Sequence, residues 1–271
     1  MLKLRFSAIA IGVVVGAWSS ASNAVAADMP VKAPAISTPS WTGFYVGASV
    51  GARVAENDWK TTNIFPAIPN TSIDNNEKNF GNTAARFGTY IGNNWSIAPR
   101  WIAGIEGYVG FANNKNAISP FPGTMVTVGP GVFITDGRPN GSIKESWDGG
   151  IRSRLGYLVT PATMIYATGG VNWMRARLEG ECHVLSFCTI EEGVQTASKT
   201  MVGWTVGAGF EYRVTGNWIA RLDYQYADYG SFSHPFFSNG IAPGNVHFDD
   251  RATANAKIQT HTATVGIGYK F

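Results

Sequence analysis

Apolar and polar residues alternate with a period of two through the end of the chain: Ala263, Val265, Ile267, Tyr269 and Phe271 fall on one face, and Thr262, Thr264, Gly266, Gly268 and Lys270 on the other. That period predicts a strand lying between an apolar medium and something wetter. The pattern recurs upstream. Val202, Trp204, Val206, Ala208, Phe210 and Tyr212 alternate with Gly203, Thr205, Gly207, Gly209, Glu211 and Arg213. Trp218, Ala220, Leu222, Tyr224 and Tyr226 alternate with Ile219, Arg221, Asp223, Gln225 and Ala227. Five more segments carry it, Trp41–Ala52, Thr83–Trp95, Arg100–Phe111, Ser146–Val159 and Ala162–Met174, which makes eight predicted strands.

The connections alternate in length. Ser96–Pro99, Thr160-Pro161 and Thr215-Gly216-Asn217 are tight turns, whereas Val54–Asn82, Ala112–Glu145, Arg175–Lys199 and Tyr229–Lys257 are long and polar. Short turns on one side and long loops on the other are the asymmetry of outer-membrane barrels, and an even strand count returns both ends to the periplasmic side. The expected fold is therefore all-β, an eight-stranded antiparallel transmembrane β-barrel with four long extracellular loops. Trp41, Trp95, Trp101, Tyr212, Trp218, Tyr269 and Phe271 lie at the short-turn ends, and Phe111, Trp147, Trp173 and Tyr226 at the opposite ends, as two interfacial girdles. Tyr269 and Phe271 are expected to close the last strand on the first and to present it to the barrel-assembly machinery. A soluble lipocalin-like barrel would instead turn its apolar face inward.

Composition agrees with this picture. The chain has 32 Gly, 9 Trp, 10 Tyr and 15 Phe but only 14% charged residues, and no apolar run reaches the roughly eighteen residues of a membrane helix, so strands must make any crossing. Lys3 and Arg5 precede the apolar run Ala8–Ala17 and the small residues Ala24–Ala27, the layout of a secretory signal peptide over residues 1–27. Residues 28–40, with Pro30, Pro34 and Pro39, predict an extended periplasmic linker, and 41–271 the barrel. Without the leader the formal charge is +1, which points to neither nucleic acid nor an acidic surface as partner; the barrel pattern makes outer-membrane lipid the expected one. The expected location is the bacterial outer membrane.

Charge at alternate positions gives the candidate site. Glu106, Asp148, Arg152, Arg154, Glu211, Arg213, Arg221 and Asp223 all fall on the inward face. Eight strands leave an interior just wide enough for side chains, so a lumen-filling ion-pair network is expected; a narrow, charged, water-filled diffusion pore is the alternative. Cys182 and Cys188, in an exported chain, are expected to pair as a disulfide. His183 has no companions at zinc-site spacing, and no metal or cofactor is expected. His234, Ser238, Asp249 and Asp250 assemble into a hydrolase triad only on paper, since all lie in a Pro/Gly loop rather than on rigid elements. Catalysis is not expected, a surface enzyme or ligand binder remains a distant alternative, and no loop ligand is assigned.

Four stretches carry a family likeness: Asp28-Met-Pro-Val-Lys-Ala-Pro34, Trp41-Thr-Gly-Phe-Tyr-Val-Gly47, Tyr166-Ala-Thr-Gly-Gly-Val171 and Val265-Gly-Ile-Gly-Tyr-Lys-Phe271. In these the chain resembles the small outer-membrane immunogenic, porin-like proteins of alphaproteobacteria. The resemblance implies an outer-membrane location and a role in envelope integrity or at the cell surface. It carries over no catalytic residue.

Overall fold

Eight long antiparallel strands close into one ring in the computed structural model: β1 (Gly43–Phe65), β2 (Glu77–Ala98), β3 (Trp101–Ile118), β4 (Asn140–Thr160), β5 (Thr163–Cys182), β6 (Gly193–Thr215), β7 (Trp218–Phe236) and β10 (Arg251–Lys270). Two three-residue strands, β8 (Gly240–Ala242) and β9 (Val246–Phe248), form a separate hairpin. The structure describes residues 40–65, 77–119, 140–182, 193–236, 240–242, 246–248 and 251–271. The leader, nearly all of the linker, His183, Cys188, Ser238, Asp249, Asp250 and the side chain of Cys182 lie outside the described residues.

Around the ring the order is β1-β10-β7-β6-β5-β4-β3-β2, each strand pairing with its sequence neighbours and β10 closing on β1. Closure runs from Tyr45↔Lys270 upward, Phe271 donates its backbone N–H to the carbonyl of Phe44 at 2.9 Å, and the two phenyl rings sit 5.8 Å apart. The β6–β7 turn depends on Gly216, whose φ of 51° is one that side chains rarely adopt.

Alternation explains why these segments become strands and what they face. Outward Val50, Phe87, Ile105, Ile151, Val171, Phe210, Leu222 and Val265 keep between 41% and 61% of their surface uncovered by protein. So large an apolar belt is stable only against hydrocarbon. Below the belt Trp101 packs edge-on to Tyr157 and Trp218 to Tyr269; above it stand Phe111, Trp147, Trp173 and the Trp204–Tyr226 pair.

The strands run further than their sequence pattern predicts. A bilayer needs about 9–11 tilted residues per strand, and these strands have 18 to 23. Much of each predicted long loop is thus strand, including Val54–Phe65, Ala112–Ile118, Arg175–Cys182 and Tyr229–Phe236. Past the outer aromatic ring the polarity of the wall inverts. Trp59, Ile118, Ile143, Met174, Leu178, Met201, Phe232, Phe236 and Ile258 are buried inside, with Trp59 stacked on Phe236 at 6.4 Å, while Glu56, Lys60, Lys115, Arg175 and Arg177 face out.

This outer part also divides. The β2–β3 ladder ends at Arg86↔Ala112 and the β6–β7 ladder at Trp204↔Asp228, although all four strands continue upward on their other neighbours. Two four-stranded sheets result, β3-β4-β5-β6 and β7-β10-β1-β2, sharing the apolar core between them.

Candidate functional site

Within the membrane-spanning part the lumen is packed with paired charges. Glu106 on β3 accepts from Arg152 Nη2 and from the hydroxyl of Tyr45, each at 2.7 Å, and forms ion pairs with Arg221 Nη1 at 2.7 Å and Arg154 Nη1 at 3.6 Å. Glu211 on β6 accepts from Arg221 Nε at 2.8 Å and faces Arg154 Nη2 at 3.0 Å. Asp223 on β7 takes Arg152 Nη1 at 3.0 Å and the hydroxyl of Tyr166 at 2.6 Å. All six charged side chains are buried, three cations against three anions. Aromatic faces complete the shell: the Arg221 guanidinium lies 3.8 Å from the ring centre of Tyr90, and that of Arg154 lies 4.2 Å from Tyr166.

A second cluster sits nearer the outer ring. Asp148 on β4 receives Arg53 Nη1 at 2.8 Å and Arg86 Nη2 at 2.6 Å. Arg53 also donates through Nε to Asn114 Oδ1 at 2.8 Å and through Nη2 to the backbone carbonyl of Glu145 at 3.0 Å. Between the clusters lies a cavity of about 20 Å³, bordered by Ser49, Arg86, Tyr108, Arg152 and Gln225. That is room for about one water molecule.

Glycine makes such filling possible. A Cβ at Gly47 would stand 2.2 Å from Tyr90 Cζ, and one at Gly110 would stand 2.2 Å from Arg86 Nη2, so each large inward side chain lies over a bare stretch of the neighbouring strand.

Strand number, the outward apolar belt and a charge-filled lumen together narrow the comparison to small outer-membrane barrels, and a family model described as outer membrane protein beta-barrel domain matches residues 23–271. The chain belongs to that family. A 31 kDa outer-membrane immunogenic protein of Brucella melitensis is 29% identical over 267 residues, covering 93% of this chain and 95% of the relative. A 25 kDa outer-membrane immunogenic protein of Brucella abortus is 27% identical over 258 residues, 94% and 92% of the two chains. Among solved structures, the outer membrane protein OprG from Pseudomonas aeruginosa superposes with a TM-score of 0.51 at 13% identity, covering 86% of this chain and 98% of that one, a likeness of fold alone. This member of the outer-membrane barrel family accordingly resides in the outer membrane, as its relatives do.

Of the eight inward charges read from alternation, seven join the two clusters of this outer-membrane barrel and Arg213 does not. It lies at the short-turn rim, donating to the carbonyls of Gly216 and Ser40 at 3.2 and 2.8 Å with its guanidinium over Trp41. Proximity to a turn and to the incoming chain, rather than to a carboxylate, decides its role. Arg53, Arg86 and Glu145 were absent from that reading. The signal for two of them was present: Arg53 continues the phase of Tyr45, Gly47, Ser49 and Gly51, and Arg86 that of Gly88, Tyr90 and Gly92. His234 packs against Phe232 and Phe236 at 6.3 and 5.0 Å between ring centres. Among the described residues no group of three or more His, Cys, Asp or Glu is placed to hold a metal ion.

Glu145 lies beyond the outer aromatic ring, outside the membrane-spanning part. One carboxylate oxygen accepts from Asn57 Nδ2 at 2.8 Å, and the other is buried and has no hydrogen-bond partner among the described residues. Burial outweighs both the Asn57 hydrogen bond and the Arg53 charge and pushes this carboxyl up to about 7. Because folding favours its protonated form, its stabilising contribution is complete below the ordinary carboxylate value and is lost as pH rises through about 7. The expected result is a thermal midpoint that falls between pH 5 and pH 8 by the equivalent of up to about 3 kcal/mol in the parent and far less in Glu145→Gln. Matching pH profiles in the two proteins would contradict the assignment.

Proposed function

We propose that this outer-membrane barrel is a structural, surface-exposed envelope protein whose lumen is closed, and that it carries out no catalysis. The observation that carries this reading is the double ion-pair cluster: in an interior only as wide as its own side chains, three arginines and three carboxylates interlock across the barrel with Arg53, Arg86 and Asp148 stacked above them. A polar network in which nearly every charge has a partner is rigid and costly to open, since each ion released from its partner would remain desolvated. The names of the two Brucella relatives, both called immunogenic outer-membrane proteins, support a role as surface antigen.

Single-channel recording on refolded protein in planar bilayers is the test. The expected trace is silent or shows only rare, small openings. A steady, large conductance would replace this reading with that of a narrow diffusion pore for small solutes.

A further inference from the structure

Just outside the outer aromatic ring the two sheets differ in how their charges are matched. On the β7-β10-β1-β2 sheet, Lys60 stands 3.7 Å from Glu77, Lys257 3.8 Å from Asp228, and His261 3.9 Å from Glu56. On the other sheet the cations meet each other. Lys115 of β3 stands directly opposite Lys144 of β4, and Lys144 directly opposite Arg177 of β5, with Arg175 one step nearer the membrane on the same face. Arg177 donates to Ser198 Oγ at 3.2 Å, and the next acid along the strand, Glu179, accepts from Ser142 Oγ at 3.0 Å. Among the described residues none of the four cations has a carboxylate within ion-pairing distance.

Like charges in direct cross-strand register destabilise a sheet. Here three adjacent strands repeat the arrangement. The row also lies at one particular height: Phe111, Trp147 and Trp173 mark the interface on the same three strands, and the cations follow immediately above them, pointing sideways from the wall. Aromatic girdles sit at headgroup level, so lipid headgroups are the groups this face meets first. Arginine forks bind phosphate oxygens in pairs, and lysines supply the remaining point charges.

We infer that Lys115, Lys144, Arg175 and Arg177 form a binding site for the phosphate groups of anionic lipid headgroups in the outer leaflet. The bound phosphates supply the negative charge that the sheet omits, and they fasten this side of the wall to its lipid annulus. The site rests on the reading of the long-stranded end as the extracellular one.

The test is a native mass spectrometric titration of the refolded protein with diphosphoryl lipid A, monophosphoryl lipid A and phosphatidylcholine, with inorganic pyrophosphate as soluble competitor. The parent should bind diphosphoryl lipid A at least about tenfold more tightly than phosphatidylcholine, with monophosphoryl lipid A between them. The combined variant Lys115→Gln, Lys144→Gln, Arg175→Gln, Arg177→Gln should lose that preference, while Lys60→Gln with Lys257→Gln should keep it. Without lipid, the fourfold variant should melt no lower than the parent, because a self-repelling row has been removed. Equal binding of all lipids by the parent, an unchanged preference in the fourfold variant, a lower lipid-free midpoint, or displacement by an equal concentration of pyrophosphate would each overturn the site. Topology is checked separately by labelling Lys115→Cys, in a background with Cys182→Ser and Cys188→Ser, with a membrane-impermeant maleimide on intact cells. Labelling together with absent lipid preference would reject the site and leave the orientation standing.

Discussion

Replacing Glu106 with alanine is expected to lower the stability of the folded barrel by about 3–5 kcal/mol, because it leaves buried arginines without their shared anion. Arg152, Arg154 and Arg221 all converge on this one carboxylate, and the Tyr45 hydroxyl donates to it as well. Glu211 and Asp223 cannot take over, since each already serves arginines of the same cluster. Water must enter to solvate the surplus cations, so the variant should also acquire a conductance that the parent lacks. Thermal melting of refolded protein in detergent, followed by single-channel recording, reads both effects. Val206→Ala, on the lipid face, should change neither. An unchanged melting midpoint in the Glu106 variant would show that the network contributes nothing to holding the barrel together.

A comparable loss is expected from Gly47→Val, for a steric rather than an electrostatic reason. Even a Cβ there would come within 2.2 Å of Tyr90 Cζ, 2.3 Å of its hydroxyl oxygen and 2.5 Å of Cε2. The ring cannot simply slide away, because it carries the Arg221 guanidinium at 3.8 Å and Arg221 in turn holds Glu106 and Glu211. Overpacking of this kind typically costs about 1–3 kcal/mol, and displacement of Arg221 adds to it. The decisive measurement is the double variant Gly47→Val with Tyr90→Ser, in which the smaller partner should restore much of the melting midpoint lost in Gly47→Val alone. If the double variant melts at the sum of the two single losses, the two positions do not compete for one space.

The lipid-facing half of each strand was legible because hydrocarbon outside and charge inside impose opposite demands on alternate residues, as at Val206 against Gly207 or Leu222 against Asp223. The outer half was not, because there the same alternation runs in opposite sense. Trp59 points inward between outward Asp58 and Lys60, so a reader expecting apolar residues outside sees only a polar loop. The inward-apolar arrangement of a soluble barrel, set aside for the whole chain, is what the part above the membrane adopts. Arg53 keeps the inward phase of the lipid-facing half and stands one residue past the predicted strand end at Ala52, where one regime gives way to the other. Glu106 and Arg221 were legible because no lipid-facing strand tolerates them outward. The partners they choose were not, since pairings such as Arg152 with Asp223 join strands far apart in sequence, and only ring closure brings them together.

The inversion of the wall above the outer ring governs how the protein sits once it is in place. Lys60, Lys115, Lys144, Arg175, Arg177 and Lys257 ring the exterior just beyond the hydrocarbon, and sinking the barrel toward the periplasm would drag them into it at about 2–4 kcal/mol for each basic side chain that reached the midplane. Movement the other way would draw the apolar belt of Val50, Ile105, Ile151 and Val265 into water. The molecule therefore has one depth in the bilayer, set like a collar against a flange, and insertion is a one-way passage in which the charged rim crosses the membrane once and bars its own return.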